Sequence, residues 1–415
     1  MFLRASGITV AGLALSAALP SFAGEVEVLH WWTSGGEARS VSELKKTMLQ
    51  KGDTWKDYAI AGGGGDNAMT ALKTRVVSGK APTAAQIKGP QIQEWGKEGT
   101  LANINAVAEA GNWDKVLPPV VADIMKYKGN YVAVPVNIHR VNWLWINPEA
   151  LKRAGATVPV TMDDFFAAAD KLKAAGIQPL AHGGQPWQDA TLFESIALGV
   201  GGADFYRKAF AQLDPVALAG PTMVRVFEAM QRVKGYIDKG AAGRDWNLAT
   251  AMVINGKAGM QFTGDWAKGE FTAANKQPGK DYLCVAAPGT GGSFTYNIDS
   301  LAMFVQKDKA AQTSQAHLAE AVMSPAFQEA FSLSKGSIPA RVDVPMTKFD
   351  DCARKSAADL QTSLKANALL PSFAHKMAMS SAAEGAVTDV ISQFMNSNMT
   401  PQKAAERIAK AARTK

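Results

Sequence analysis

The chain has 415 residues, 47% of them hydrophobic, with 44 Lys and Arg against 37 Asp and Glu, a formal charge of +7. That composition builds cores and excludes a disordered chain, and the length calls for two or three domain-sized units. The basic excess is scattered without a long run, which argues against a nucleic-acid partner, and five histidines with two cysteines leave little support for zinc or iron–sulfur centres, so no metal or cofactor is expected.

Residues 1–23 carry Arg4, an apolar run from Ile8 to Leu19 and then Ser21-Phe22-Ala23, the layout of a secretory signal peptide cleaved after Ala23. A membrane-spanning helix needs about 20 apolar residues, more than this run offers. The mature chain from Gly24 to Lys415 is therefore expected in the periplasm. Export permits a disulfide between Cys284 and Cys352, while spacing alone leaves two buried free thiols equally open.

In chain order, Glu25-Val26-Glu27-Val28-Leu29 alternates like a half-buried strand and runs into His30-Trp31-Trp32-Thr33-Ser34-Gly35-Gly36-Glu37. Gly62 to Gly65 lead to Asp66, which reads as an N-cap for a helix bearing Met69, Leu72 and Val76 and stopping at Ser78-Gly79. Thr161 with Asp164 forms a variant capping box for a helix that buries Phe165 and Leu172 and stops near Gly176, followed by a short strand at Pro179-Leu180-Ala181. Ser324-Pro325 opens another helix through Phe327 and Phe331 to Gly336. Strand and helix signals alternate, which favours an α/β class.

Several motifs are excluded. The glycine run at Gly62 to Gly65 completes no G-x-G-x-x-G, because the frames end on Asn67 and Ala68, and no Gly-Lys pair is followed by Ser or Thr as a Walker loop requires. Neither a G-x-S-x-G elbow nor an H-E-x-x-H helix is present, which lowers the expectation of an enzyme.

What remains is chemistry suited to sugars. A pyranose offers CH patches to an aromatic face and hydroxyls to donors and acceptors at its edge. Trp31-Trp32 at the end of the first strand supplies indoles at the rim where clefts in α/β sheets form. Neighbours on a strand point to opposite sides, so one of the two indoles is expected to be ordinary packing. Glu37 and Asp299 can accept from hydroxyls, and Lys88 and Lys335 can donate to them. Tyr296-Asn297-Ile298-Asp299 alternates, which places Asn297 and Asp299 on one face. Trp266 in Gly264-Asp265-Trp266 reads as a core indole without context, and His375 as either a ligand contact or a core histidine.

Five blocks carry a resemblance: Leu29 to Glu37 (LHWWTSGGE), Ala61 to Pro82 (AGGGGDNAMTALKTRVVSGKAP), Asn137 to Ala150 (NIHRVNWLWINPEA), Asn255 to Trp266 (NGKAGMQFTGDW) and Ser334 to Arg341 (SKGSIPAR). In order along nearly the whole mature chain, they resemble the sugar-binding subunits of bacterial ABC importers (extracellular solute-binding protein family 1), nearest to the glucose/mannose type. The resemblance implies two α/β lobes joined by a multi-strand hinge with the ligand between them. Residues 24–135 and 293–343 would form the N-terminal lobe, and residues 136–292 and 344–415 the C-terminal lobe. It further implies a monomeric receptor that takes a monosaccharide, glucose first, and delivers it to permease transmembrane subunits. Carried over as ligand-binding residues are Trp31, Trp32, Glu37, Lys88, Trp266, Asn297, Asp299, Lys335 and His375, with Trp187 beside them. The competing reading is a secreted carbohydrate-active enzyme using Glu37 and Asp299 as its carboxylate pair.

Overall fold

The computed structural model describes residues 24–414. The expected signal peptide, residues 1–23, lies outside them. Among the described residues, twelve strands are β1 (Glu25–His30), β2 (Thr54–Ala59), β3 (Ala84–Gln86), β4 (Lys126–Tyr127), β5 (Asn130–Tyr131), β6 (Ala133–Arg140), β7 (Trp143–Ile146), β8 (Gln178–Leu180), β9 (Ala258–Phe262), β10 (Leu283–Ala286), β11 (Phe294–Met303) and β12 (Leu369–Pro371). Helices connect them, giving the α/β class that the alternating signals indicate.

Two main sheets organise the molecule. The first runs in the order β12-β11-β3-β1-β2, with β6 also paired to β11, and the second runs β10-β7-β9-β8. The chain leaves the first sheet between β6 and β7, returns between β10 and β11, and turns toward the second after β12. Each sheet has its own apolar core. Val26, Val28, Leu44, Leu72, Leu301, Phe304 and Phe331 belong to the first, and Leu144, Phe165, Phe193, Phe210, Phe227 and Met260 to the second. Cys284 on β10 and Cys352 on helix Asp351–Lys365 form a disulfide, so the two-thiol alternative drops out.

Local chemistry explains the helix starts. Ser34 caps helix Gly35–Gln50, and Glu37 three residues on returns the bond to complete a capping box. Thr161 and Asp164 do the same for helix Met162–Ala174, which buries Phe165 and Leu172. Helix Pro325–Lys335 begins at the Ser324 cap and ends at Gly336, whose φ of +91° lies in the left-handed region that glycine tolerates best. Helix Asp66–Val77 departs from expectation, because its N-cap is Gly65 and Asp66 is already its first residue. Asp66 is instead engaged by the Lys376 ammonium, a partner far away in sequence.

Candidate functional site

The long strands β6 and β11 pair antiparallel, setting Asn297 opposite His139 and Asp299 opposite Asn137. Alternation along β11 turns Asn297 and Asp299 to one side and Tyr296 and Ile298 to the other, as the sequence indicates. On the polar side a cavity opens. Trp31, Trp32, Glu37, Lys88, Trp266, Asn297, Asp299, Lys335 and His375 all line it. So does Trp187, together with Gly63, Gly64, Gln86, His139 and Trp246.

Asp299 is the electrostatic centre. Its Oδ1 lies 2.9 Å from Lys88 Nζ and accepts from Gln86 Nε2 at 3.2 Å, while its Oδ2 accepts from Trp32 Nε1 at 3.3 Å and lies 3.1 Å from His139 Nε2. Burial favours the neutral acid, but Lys88, His139 and Lys335 outweigh it and hold the carboxyl well below the usual range. The other ring nitrogen of His139, Nδ1, meets Asp265 Oδ1, and Asp265 Oδ2 accepts from the Arg140 amide at 2.9 Å. Burial works against a charged imidazole there, yet the two carboxylates raise its pKa above the ordinary histidine value.

Glu37 has two tasks. Its Oε2 accepts from the amides of Thr33 and Ser34 at 3.1 and 3.2 Å, and its Oε1 accepts from Lys335 Nζ at 2.8 Å. Lys335 is the last residue of its helix, where a cation also complements the helix dipole.

The aromatic wall comes from both sides of the cavity. Trp187, Trp246 and Trp266 cluster with Val141 apart from the two large cores, and Trp187 and Trp266 sit 6.3 Å apart between ring centroids. On the opposite side, Trp31 and Trp32 both line the cavity and both also belong to the first core, Trp32 with its ring 5.3 Å from that of Phe331, so the two indoles do not divide into one packing residue and one lining residue. The reason is that β1 ends at His30, so strand alternation does not govern the dipeptide. The glycine run serves these rings. A Cβ on Gly63 would lie 2.6 Å from Trp187 Cζ2, and one on Gly65 would lie 2.8 Å from the Trp31 ring.

His375 Nε2 lies 3.1 Å from Thr191 Oγ1, whose own proton goes to the Trp187 carbonyl at 2.8 Å. The ring therefore donates from Nε2 and keeps Nδ1 as an acceptor. Burial and the nearby Lys88 hold its pKa well below the usual histidine value, so it is neutral. Two further lining residues bring unpartnered buried atoms, the acceptor Asn297 Oδ1 and the donor Trp266 Nε1.

The cavity is bridged on several sides. Glu270 Oε1 accepts from Ser34 Oγ at 2.8 Å and from the Gly36 amide at 3.0 Å. Lys376 reaches Asp66 and the Gly64 carbonyl, and Glu94 accepts from the amide and hydroxyl of Ser381 at 2.9 and 2.6 Å.

His139, Gln86 and Trp246 were not anticipated as lining residues. For His139 a signal existed, since Asn137-Ile138-His139 alternates as Asn297-Ile298-Asp299 does. For Glu37 the signal of its capping role was Ser34-x-x-Glu37.

Two sheets with separate cores and a polar, tryptophan-walled cavity between them define a two-lobed solute receptor. Residues 47–324 match the profile of the bacterial extracellular solute-binding proteins, and the chain belongs to that family. A "Probable sugar-binding periplasmic protein" of Rhizobium meliloti (strain 1021) is 49% identical over 403 residues, covering 97% of each chain. A relative of the same name in Brucella suis biovar 1 is 49% identical over 387 residues, 93% of this chain and 91% of its own. Among solved structures, the bacterial solute receptor AcbH, described with a preference for β-D-galactopyranose, superposes with a TM-score of 0.79 at 18% identity, over 94% of this chain and 97% of its own.

Proposed function

We propose that this chain is the sugar-binding component of a bacterial ABC importer, acting in the periplasm as a monomer. It takes one neutral monosaccharide, glucose first, closes its two lobes around it and presents it to the permease transmembrane subunits. The observation that carries this reading is the set of uncommitted polar atoms at the cavity: acceptors at Asn297 Oδ1 and His375 Nδ1 and a donor at Trp266 Nε1. A hydroxyl both donates and accepts, so a polyol ring satisfies both kinds while its CH faces meet the indoles.

Charge supports a neutral ligand. Around the cavity Glu37 faces Lys335, Asp299 faces Lys88, and Asp265 faces His139, so an anionic sugar meets no uncommitted cation among these pairs. Names of the 49% identical relatives support both sugar binding and the periplasm. Glucose within that class rests on the resemblance of the five sequence blocks. The sheets and their helices serve as lobes that approach when sugar bridges them, a population shift toward the closed form that the permease engages.

Hydrolysis by Glu37 and Asp299 is the weaker reading. Both carboxylates are spent on lysines, and Asp299 is held ionised, which suits an acceptor and not a general acid.

A thermal-shift panel of hexoses, pentoses, glucuronate and maltotriose tests the proposal. A neutral monosaccharide should raise Tm, with no response to glucuronate. Silence with every neutral sugar, or release of nitrophenol from aryl glycosides, would overturn it.

A further inference from the structure

Helix Pro186–Tyr206 contributes Trp187 to the cavity wall, and one turn and two turns further along the same face it carries Thr191 and Glu194. Glu194 is 0% exposed, lines no part of the cavity and is flanked by the buried Phe193 and Ser195. Carboxylates are almost never buried without a paired cation. The groups bonded to this one are all uncharged: Ser372 Oγ at 2.8 and 3.0 Å, Tyr206 OH at 2.8 Å and the Ala374 amide at 3.1 Å.

These donors belong to, or hold, a single turn. The Phe373 amide donates to Tyr206 OH at 3.3 Å, the Ala374 amide to Glu194 itself, and the His375 amide to Ser372 Oγ at 3.2 Å. Three successive backbone N–H groups therefore end on Glu194 directly or through one hydroxyl. Thr191, three residues before Glu194, fixes the His375 ring. The next residue, Lys376, has φ of +62°, a left-handed conformation that a residue with a side chain keeps only when its surroundings impose it. From there its ammonium crosses to Asp66 and the Gly64 carbonyl.

We propose that Glu194 is a positioning residue for the sugar site: it holds the Ser372–Lys376 turn so that His375 meets the ligand and Lys376 meets the opposite lobe. It acts through that turn, and its removal is read as lost sugar affinity. The inference rests on the monosaccharide reading of the cavity.

Glucose titrations of Glu194→Gln and Tyr206→Phe, each alone and combined with His375→Ala, test it. Each single variant should weaken glucose binding by about tenfold, the cost of one misplaced hydrogen bond to a charged or polar partner. Added to His375→Ala, either should weaken it much less, because the contact it positions is already gone. A general scaffold role predicts the same loss in both backgrounds, and that result would overturn the inference. So would unchanged affinity in either single variant, or in His375→Ala. Tyr206→Phe keeps the ring and carries the test if Glu194→Gln does not fold. Wild-type protein that binds no neutral sugar would instead sink the reading of function on which this one stands.

Discussion

His139 and Asp299 meet across β6 and β11, with Nε2 3.1 Å from Oδ2, while the other ring nitrogen meets Asp265. One imidazole on β6 thus sits between two buried carboxylates, Asp299 on β11 and Asp265 in the turn after β9. Its raised pKa means that the stabilisation it brings is fully present below the ordinary histidine value of 6.5 and fades as pH rises through the higher folded value. His139→Ala should lower stability to urea by about 3–5 kcal/mol at pH 7, because the carboxylates lose a shared partner. Nitrogen NMR of the wild-type ring should show it losing its proton with a midpoint above 6.5. A midpoint at or below 6.5 would contradict the assignment.

The approach of Trp187 to the glycine run gives a second prediction. Gly63 does not adopt a left-handed φ, so Gly63→Ala adds a methyl without backbone strain, but that methyl would lie 2.6 Å from the indole. Overpacking of this kind costs about 1–3 kcal/mol. Glucose affinity should fall by a corresponding factor of about 5 to 150, while the Tm of the sugar-free protein stays within a degree or two, since the proposed closure is what brings the two groups together. Equal affinity would mean that the contact is not part of closure.

Glu194 makes a pH prediction independent of ligand. Burial pushes its carboxyl up from 4.5 to about 7, although Tyr206 and Ser372 pull it back. The folded state then holds a proton that the unfolded chain has released, so stability falls as pH rises from 4.5 to about 7 and levels above that. The difference in unfolding free energy between wild type and Glu194→Gln should change by about 3 kcal/mol across this window. A constant difference would contradict the shift.

The Cys284–Cys352 bridge closes a loop with a sequence separation of 68, for which chain entropy gives about 4 kcal/mol. Replacing both cysteines by alanine should reduce stability by up to that amount. Sugar affinity should hold within about twofold, because neither residue lines the cavity. A larger loss of affinity would show that the bridge also sets the geometry of the site.

Local signals carried much of the architecture. The helix starts at Thr161 and Ser324 and the shared face of Asn297 and Asp299 follow from neighbours within a few residues. What was not legible depended on distant partners. Asp66 has the chemistry of a cap, but Lys376 takes its carboxylate, and no local pattern encodes that exchange. His139 lies on a strand buried along its whole length, so the burial contrast that marks a polar face is erased. Gln86 sits at the end of a three-residue strand whose setting comes from β1 and β11 on either side. Glu194, in a helix buried nearly all round, had no amphipathic stripe to set it apart.

The central claim is that the tryptophan-walled cavity binds one neutral monosaccharide. Isothermal titration of glucose into protein stripped of carried-over sugar by unfolding and refolding tests it most directly. The account predicts a single site with Kd near 1 μM or tighter, about 8 kcal/mol of binding free energy, and loss of the heat in Trp266→Ala. Absence of heat with glucose, and equally with mannose, galactose and xylose, would contradict it.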